Sequence, residues 1–415
     1  MSQNRWTTEQ LQAIQGRGGS ILVSAAAGSG KTAVLVERVI GMLTRGEDPV
    51  DADRLLVVTF SNAAAREMKQ RISRRLWELS REAPGDLRLA RQQLLLESAQ
   101  ISTIHAFCIS LIRGHFQLLG IPAEFRVGDD RELEVLRLRT VQELMEEEYV
   151  KGEDSFFDLV ELLSTARSDG RVERSILKLY DFVRNHPFYR EWMERMLAEY
   201  DAQRPLSQTP WAAILLGYAA DALDHCLSLY RRAVELVRGE GELERAYLGT
   251  LLAEEEQLKE CLRQGRAGDW DACRQAVLGV SFGRLSPLSS KKYPDEERKK
   301  QVQGLRDEVK ELVREKLQRD CFLMDSAQYR QDMEYQQPIL RKLFQLTDSF
   351  DQRLRDAKLD RSLLDFGDLE HYALELLYQT DGEGRHLPSP VARETAARTT
   401  RSWWTSTRTP TPPRR

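Results

Sequence analysis

Residues 25–32 read Ala25-Ala26-Ala27-Gly28-Ser29-Gly30-Lys31-Thr32, and no other stretch limits the chain as strongly. The octapeptide follows the apolar run SILVS and opens a helical pattern, the strand–loop–helix setting of a phosphate-binding loop. Small residues let backbone N–H groups turn inward and cradle phosphate oxygens at a helix N-terminus. Lys31 would place a point charge on the β and γ phosphates, and Thr32 would offer a hydroxyl to Mg²⁺. A chance GSGKT in a flexible loop would lack those flanks. Binding of ATP or GTP is therefore the first expectation.

The surroundings agree. SILVSAA (20–26), RLLVVTF (54–60) and ISTIHAFCISLI (101–112) are apolar and rich in β-branched residues, as strands of a sheet buried on both faces would be. Helical patterns at 32–44 and 63–79 separate them, and strand–helix alternation is the signature of an α/β fold with a parallel sheet. Residues 130–360 differ. Leu, Glu, Arg and Ala recur there at helical spacing without convincing strand runs, with loops near 152, 205–210 and 281–294. From residue 395 onward there are five arginines, three prolines, a Trp403-Trp404 tandem and no carboxylate, the composition of an irregular basic tail.

Composition excludes several classes. The 415 residues carry 61 Lys+Arg against 65 Asp+Glu, so affinity from bulk cationic charge is ruled out while a local basic groove is not. No run of 18 apolar residues is present, and MSQNRWTTEQ lacks the charged and apolar regions of a secretion signal. Five scattered cysteines show neither metal spacing nor a disulfide framework. The expectation is a cytoplasmic protein with no membrane span. Acidic runs at 146–148 and 254–256 and the basic 298–300 read as solvated helix faces. Trp192, Trp211 and Trp270 read as packing rather than base stacking.

Three further segments carry candidate chemistry. Gln10, about fifteen residues before the loop, has a side-chain amide able to pair with adenine's N7/N6 edge; the alternative is a surface glutamine on a short amphipathic helix. TFSNAAAREM places Thr59, Phe60 and Asn62 where a strand ends and a helix begins, an edge that could meet a nucleic-acid strand. TIHAF repeats the design with Thr103 and His105. Each alone is more often packing plus a helix cap. Two such edges behind one phosphate loop favour function.

The run from TTEQ through SAAAGSGKT, TFSNAAAREMKQRI and STIHAFC resembles the first domain of UvrD/Rep-type superfamily 1 DNA helicases. AEFRVGDD (123–130), KKYPDEERKK (291–300) and LLDFGDLEHYALELL (363–377) resemble, within that group, the AddA-type subunits of bacterial helicase–nucleases that process double-strand breaks. The resemblance covers residues 1 to about 394. It implies a RecA-like P-loop NTPase domain at 1–120, a large all-α insertion lying along duplex DNA at 121–362, a return to the ATPase core at 363–394, and an aberrant tail at 395–415. It also implies adenine at Gln10, phosphates and Mg²⁺ at Gly28–Thr32, and a single-strand track at Thr59, Phe60, Asn62, Thr103 and His105. It further implies ATP-driven 3′ to 5′ translocation, a second, AddB-like subunit, and contact with a single-strand/duplex junction.

The tail departs from that pattern. Such helicases next present a strand ending in DEYQDT, whose acidic pair holds Mg²⁺ and activates water. The chain reads WWTSTRTPT (403–411) instead. Encoded as TGG TGG ACG AGT ACC AGG ACA CCA AC, with one G prefixed, the same bases read GTG GTG GAC GAG TAC CAG GAC ACC AAC, or VVDEYQDTN. A frameshift near residue 395 is the expectation, and with it ATP binding without appreciable hydrolysis. Two other readings compete. One is a non-catalytic helical DNA-binding or subunit-docking module, whose binding would ignore Lys31. The other is an unrelated P-loop ATPase or kinase, which would have no use for the TFSNAAAREM and TIHAF edges.

Overall fold

The computed structural model describes residues 6–24, 26, 28–45, 49–164, 170–399 and 401–404. They fall into two compact units, 1–140 with 352–415, and 141–351.

In the first unit the chain runs α1 (Thr8–Gln15), α2 (Lys31–Thr44), β1 (Leu55–Thr59), α3 (Asn62–Glu82), α4 (Leu87–Leu95), β2 (Gln100–Thr103), α5 (Ile104–Leu119), β3 (Arg126–Val127) and into α6 (Asp130–Lys151). β1 lies at the centre of a parallel sheet, with Thr59 opposite Thr103 of β2. Val39, Ile40 and Leu43 of α2 pack with Ile72 and Leu76 of α3 and with Leu55 and Val57 of β1. Side chains of this size contribute about 1.5–3 kcal/mol each when fully buried. They fix α2 and α3 against the sheet, and α3 begins where β1 ends.

Among its described residues the second unit holds helices and loops but no strand: α7 (Asp154–Leu163), α8 (Gly170–Val183), α9 (Tyr189–Ala198), α10 (Pro210–Val237), α11 (Glu242–Ala267), α12 (Trp270–Leu278), α13 (Glu296–Glu311), a π-helical stretch Leu312–Cys321, and most of α14 (Ser326–Leu359). Chain order then returns to the first unit through β4 (Leu363–Leu364), α15 (Phe366–Leu377), the hairpin β5 (Tyr378–Thr380) and β6 (His386–Pro388), α16 (Pro390–Arg398) and β7 (Arg401–Trp404).

Several expectations need correcting. Residues 20–24 form no strand: Leu22 is 96% exposed, and among the described residues no strand pairs with this segment. An apolar run becomes a strand only where a neighbour completes its ladder of hydrogen bonds. The run 101–112 is a strand only to Thr103. From Ile104, apolar residues at 107, 108, 111 and 112 follow helical spacing, and the Thr103 hydroxyl caps the new helix by accepting from Ala106 N. The tail is not irregular over its described part. It is helical to Arg398, and Arg401–Trp404 pairs parallel with β1 from Leu55 to Val58; residues 405–415 lie outside the described residues.

The acidic runs are not wholly solvated either. Glu148, Glu254 and Glu255 are buried. Glu254 accepts from Arg306 at 2.8 and 2.5 Å and from the Tyr230 hydroxyl at 2.7 Å. Burial alone would raise the Glu148 carboxyl, but hydrogen bonds from Lys151 and Lys342 outweigh it and hold the group below the usual range. Buried charges survive only when paired in this way.

By length and composition alone α10 could cross a membrane, against the sequence expectation. Its apolar side, including Leu216, Leu223, Leu227 and Tyr230, lies within the second unit's core. The three tryptophans pack as expected: Trp270 is 2% exposed and donates to Met324 O, Trp211 lies against Trp270 and Tyr329, and Trp192 stacks on His186.

Candidate nucleotide and nucleic-acid site

α1 is held against the phosphate loop by one side chain. Thr7 and Gln10 form a capping box: Gln10 N donates to the Thr7 hydroxyl at 3.3 Å, and Thr7 N donates to Gln10 Oε1 at 3.0 Å. Gln10 Nε2 then reaches across and donates to Ser29 O at 3.1 Å. The capping box fixes the rotamer, and the rotamer aims the amide at the loop. Arg38 of α2 donates to Ala13 O at 2.6 Å and ties the two helices together.

Within the loop, Ser29 N and Oγ both donate to Ala26 O, at 3.3 and 2.7 Å. Gly28 and Gly30 have φ of 79° and 82°. A Cβ at Gly28 would meet nothing within 4 Å, so conformation rather than space calls for glycine there. An L side chain in that region costs about 1–2 kcal/mol. Gly30 is the N-cap of α2 and supplies no side-chain cap. The first N–H groups of α2 therefore keep their capacity for an anion. Lys31 Nζ folds back and donates to Ala26 O at 3.1 Å, a neutral acceptor that phosphate oxygens would outcompete. Thr32 is half-buried one residue on. Ala25 and Ala27 lie outside the described residues.

The second cluster sits at the carboxyl ends of β1 and β2, brought level by the Thr59–Thr103 register. Phe60 is 62% exposed, and Asn62, at the start of α3, is exposed beside it. The Thr103 hydroxyl lies 3.5 Å from Asn62 Oδ1. Thr59 differs from the expectation of a surface-lining residue. It is 3% exposed and donates to Ser61 O at 3.1 Å, so it shapes the turn that presents Phe60.

His105, in the first turn of α5, lies 3.3 Å from Glu370 Oε1 and 4.7 Å, ring to ring, from Phe366. Phe366 was not among the residues singled out from the sequence. It is 54% exposed and opens α15 directly after the capping Asp365. An apolar ring at the first helical position, just past a cap, was the available signal. Lys358, 2% exposed, pairs with Asp365 at 2.8 Å and Asp368 at 2.6 Å and anchors that cap. Burial, with Glu370 nearby, pushes the Cys108 thiol up to about 11, so it packs as a neutral group.

The arrangement offers a helix N-terminus, a flexible cationic side chain and a hydroxyl for a nucleoside phosphate. Separately, the carboxyl ends of β1 and β2 and the start of α15 present two exposed aromatic rings with amide, hydroxyl and imidazole groups able to meet a single nucleic-acid strand. Among the described residues no cluster of three or more His, Cys, Asp or Glu is placed to hold a metal ion.

Comparison with known proteins agrees with this chemistry. The UvrD/REP helicase N-terminal domain family matches residues 6–399. The chain is 40% identical over 395 residues to the A-type subunit of the ATP-dependent helicase/nuclease of Geobacillus kaustophilus, covering 94% of this chain and 32% of that protein. The proteins of the same name from Lachnoclostridium phytofermentans and Acetivibrio thermocellus are 37% and 36% identical, over 95% and 94% of this chain and 29% and 31% of theirs. The chain thus spans about a third of the length of these relatives.

Proposed function

The chain belongs to the UvrD/REP helicase family, matching its N-terminal domain with the P-loop NTPase fold, and on that premise we propose that it is the ATP- and DNA-binding N-terminal part of an AddA-like helicase. Gly28 to Thr32 bind the phosphates, with Ala25, Ala26 and Ala27 completing the loop. Thr32 holds Mg²⁺, and Gln10 exchanges its bond to Ser29 O for adenine. Residues 1–120 and 363–394 form the RecA-like domain, and 121–362, a span wider than the compact helical unit, are the insertion that lies along duplex DNA at the junction. Translocation by the whole enzyme is 3′ to 5′, with an AddB-like second subunit, in the bacterial cytoplasm.

One observation carries the nucleic-acid half of this reading. The register of β1 and β2 sets Phe60, Asn62, Thr103 and His105 along a single sheet edge, and Phe366 lies against His105. Stacking on an aromatic ring is worth about 1–3 kcal/mol per base. Phe60→Ala and Phe366→Ala should each weaken binding of a fluorescein-labelled oligothymidylate by about tenfold in anisotropy titrations, with Phe366→Trp close to the parent. Unchanged affinity in both alanine variants would refute the track.

The acidic pair of the family's next strand is missing from the sequence, which carries no carboxylate after residue 394. β7 nevertheless pairs in parallel with β1, the position a following strand of the same sheet would take. In the neighbouring reading frame Trp403-Trp404 becomes Val-Val, and Asp-Glu follows at once. That coincidence supports a single-base shift in the gene near codon 395. Resequencing that stretch tests it: no one-base change that restores DEYQDT would end the idea. The competing module reading, with DNA binding independent of nucleotide, leaves the Gln10–Ser29 contact without a purpose.

A further inference from the structure

Helix α3 presents a face that neither its packing nor the phosphate loop explains. Ala65, Met68, Ile72 and Leu76 are buried and form its inner ridge. Residues 66, 70, 74, 77 and 81 fall, at 100° per residue, within about 80° of one another on the opposite side. They are Arg66, Gln70, Arg74, Trp77 and Arg81, and all five are exposed. The other cations of α3 are engaged: Lys69 with Glu97, Arg71 with Glu67, and Arg75 with Glu37 and Glu78. Arg66, Arg74 and Arg81 make no ion pair among the described residues, and no carboxylate belongs to their stripe. Trp77 is 54% exposed, with the Arg81 guanidinium 4.9 Å from its ring centroid.

A solvated helix face has no need of an indole, and an apolar contact surface has no need of three unpaired arginines. Cations interleaved with an exposed aromatic suit a single-stranded nucleic acid, whose phosphates meet the arginines while a base stacks on the ring. Duplex DNA would satisfy the arginines and leave the indole unused. From Arg66 to Arg81 the stripe runs about 22 Å at 1.5 Å per residue. Arg66 lies one turn from Asn62, at the edge that carries Phe60, so the stripe continues from that edge along the helix.

We propose that this face of α3 is a second single-strand DNA surface, holding DNA that extends beyond the Phe60–His105–Phe366 edge. The proposal rests on the reading of that edge as a single-strand track, and the test separates the two. The whole 415-residue chain is titrated with labelled oligothymidylates of about 6 and about 25 nucleotides, as parent, Trp77→Ala, Trp77→Phe, Arg74→Glu and Phe60→Ala. Trp77→Ala and Arg74→Glu should each weaken the long oligomer by about tenfold and leave the short one unchanged. Trp77→Phe should stay near the parent. Arg74→Glu should also lower the slope of log affinity against log salt by about 0.7. The substituted side chains are exposed, and an unchanged melting temperature would confirm that the variants fold.

Parent-like binding of the long oligomer by Trp77→Ala and Arg74→Glu, with Phe60→Ala still defective, would overturn this surface and leave the track standing. Failure of the parent chain to bind either oligomer would overturn both. Loss of binding to polyglutamate, with DNA binding intact, would reassign the stripe to an acidic protein and also overturn the proposal.

Discussion

Lys31→Ala should weaken binding of Mg²⁺·ATP by at least about thirtyfold in titration calorimetry. The Lys31 ammonium now donates to Ala26 O at 3.1 Å, a neutral acceptor inside its own loop. Phosphate oxygens are charged acceptors, and hydrogen bonds to charged groups contribute about 1.5–3 kcal/mol. Two of them, to the β and γ phosphates, amount to several kcal/mol, and each 1.4 kcal/mol is about tenfold in affinity. Stability should hardly change, because Lys31 is exposed and its removal opens no cavity. Binding that survives Lys31→Ala would favour the module reading, in which the loop is incidental.

Arg306→Ala should cost the helical unit about 3–5 kcal/mol of stability in denaturant unfolding. The side chains of Arg306 and Glu254 are 6% and 2% exposed, and the guanidinium also donates to Gly283 O. Removing it strands a buried carboxylate whose remaining donors are Tyr230 and Gly283 N. Replacing both charges, as in Arg306→Met with Glu254→Leu, should recover only part of the loss. The Tyr230 hydroxyl and the Gly283 backbone would then lack partners, at about 1–3 kcal/mol for each unsatisfied group. Single and double variants of equal stability would contradict the network.

These two sites differ in how far the sequence revealed them. The phosphate loop is local. Spacing, small residues and the following helix lie within a dozen positions, and α2 spans Lys31–Thr44, one residue longer than the pattern at 32–44. β1 and α3 were likewise legible, because a continuous apolar run and a 3.6-residue period each point to one element. Glu254 was misread for the opposite reason. Its partner Arg306 lies 52 residues away on another helix, and nothing local distinguishes it from the exposed Glu256.

Residues 20–24 and 101–112 show a second limit. Short apolar runs do not declare whether a strand partner or a helical cap will decide them. At Thr103 the cap decided; at 20–24 no described strand took the run. Phe366 escaped notice because its site forms only when α15 lies against α5, a contact that no local pattern encodes.

We propose that this chain binds Mg²⁺·ATP through the Lys31 loop without hydrolysing it, because its sequence lacks the acidic pair that activates water. The most direct test measures Mg²⁺·ATP binding and phosphate release on one preparation of the 415-residue chain, with and without single-stranded DNA. Saturable binding that depends on Lys31, with phosphate release at the background rate under both conditions, is the expected result. DNA-stimulated hydrolysis that the Lys31→Ala variant lacks would contradict it.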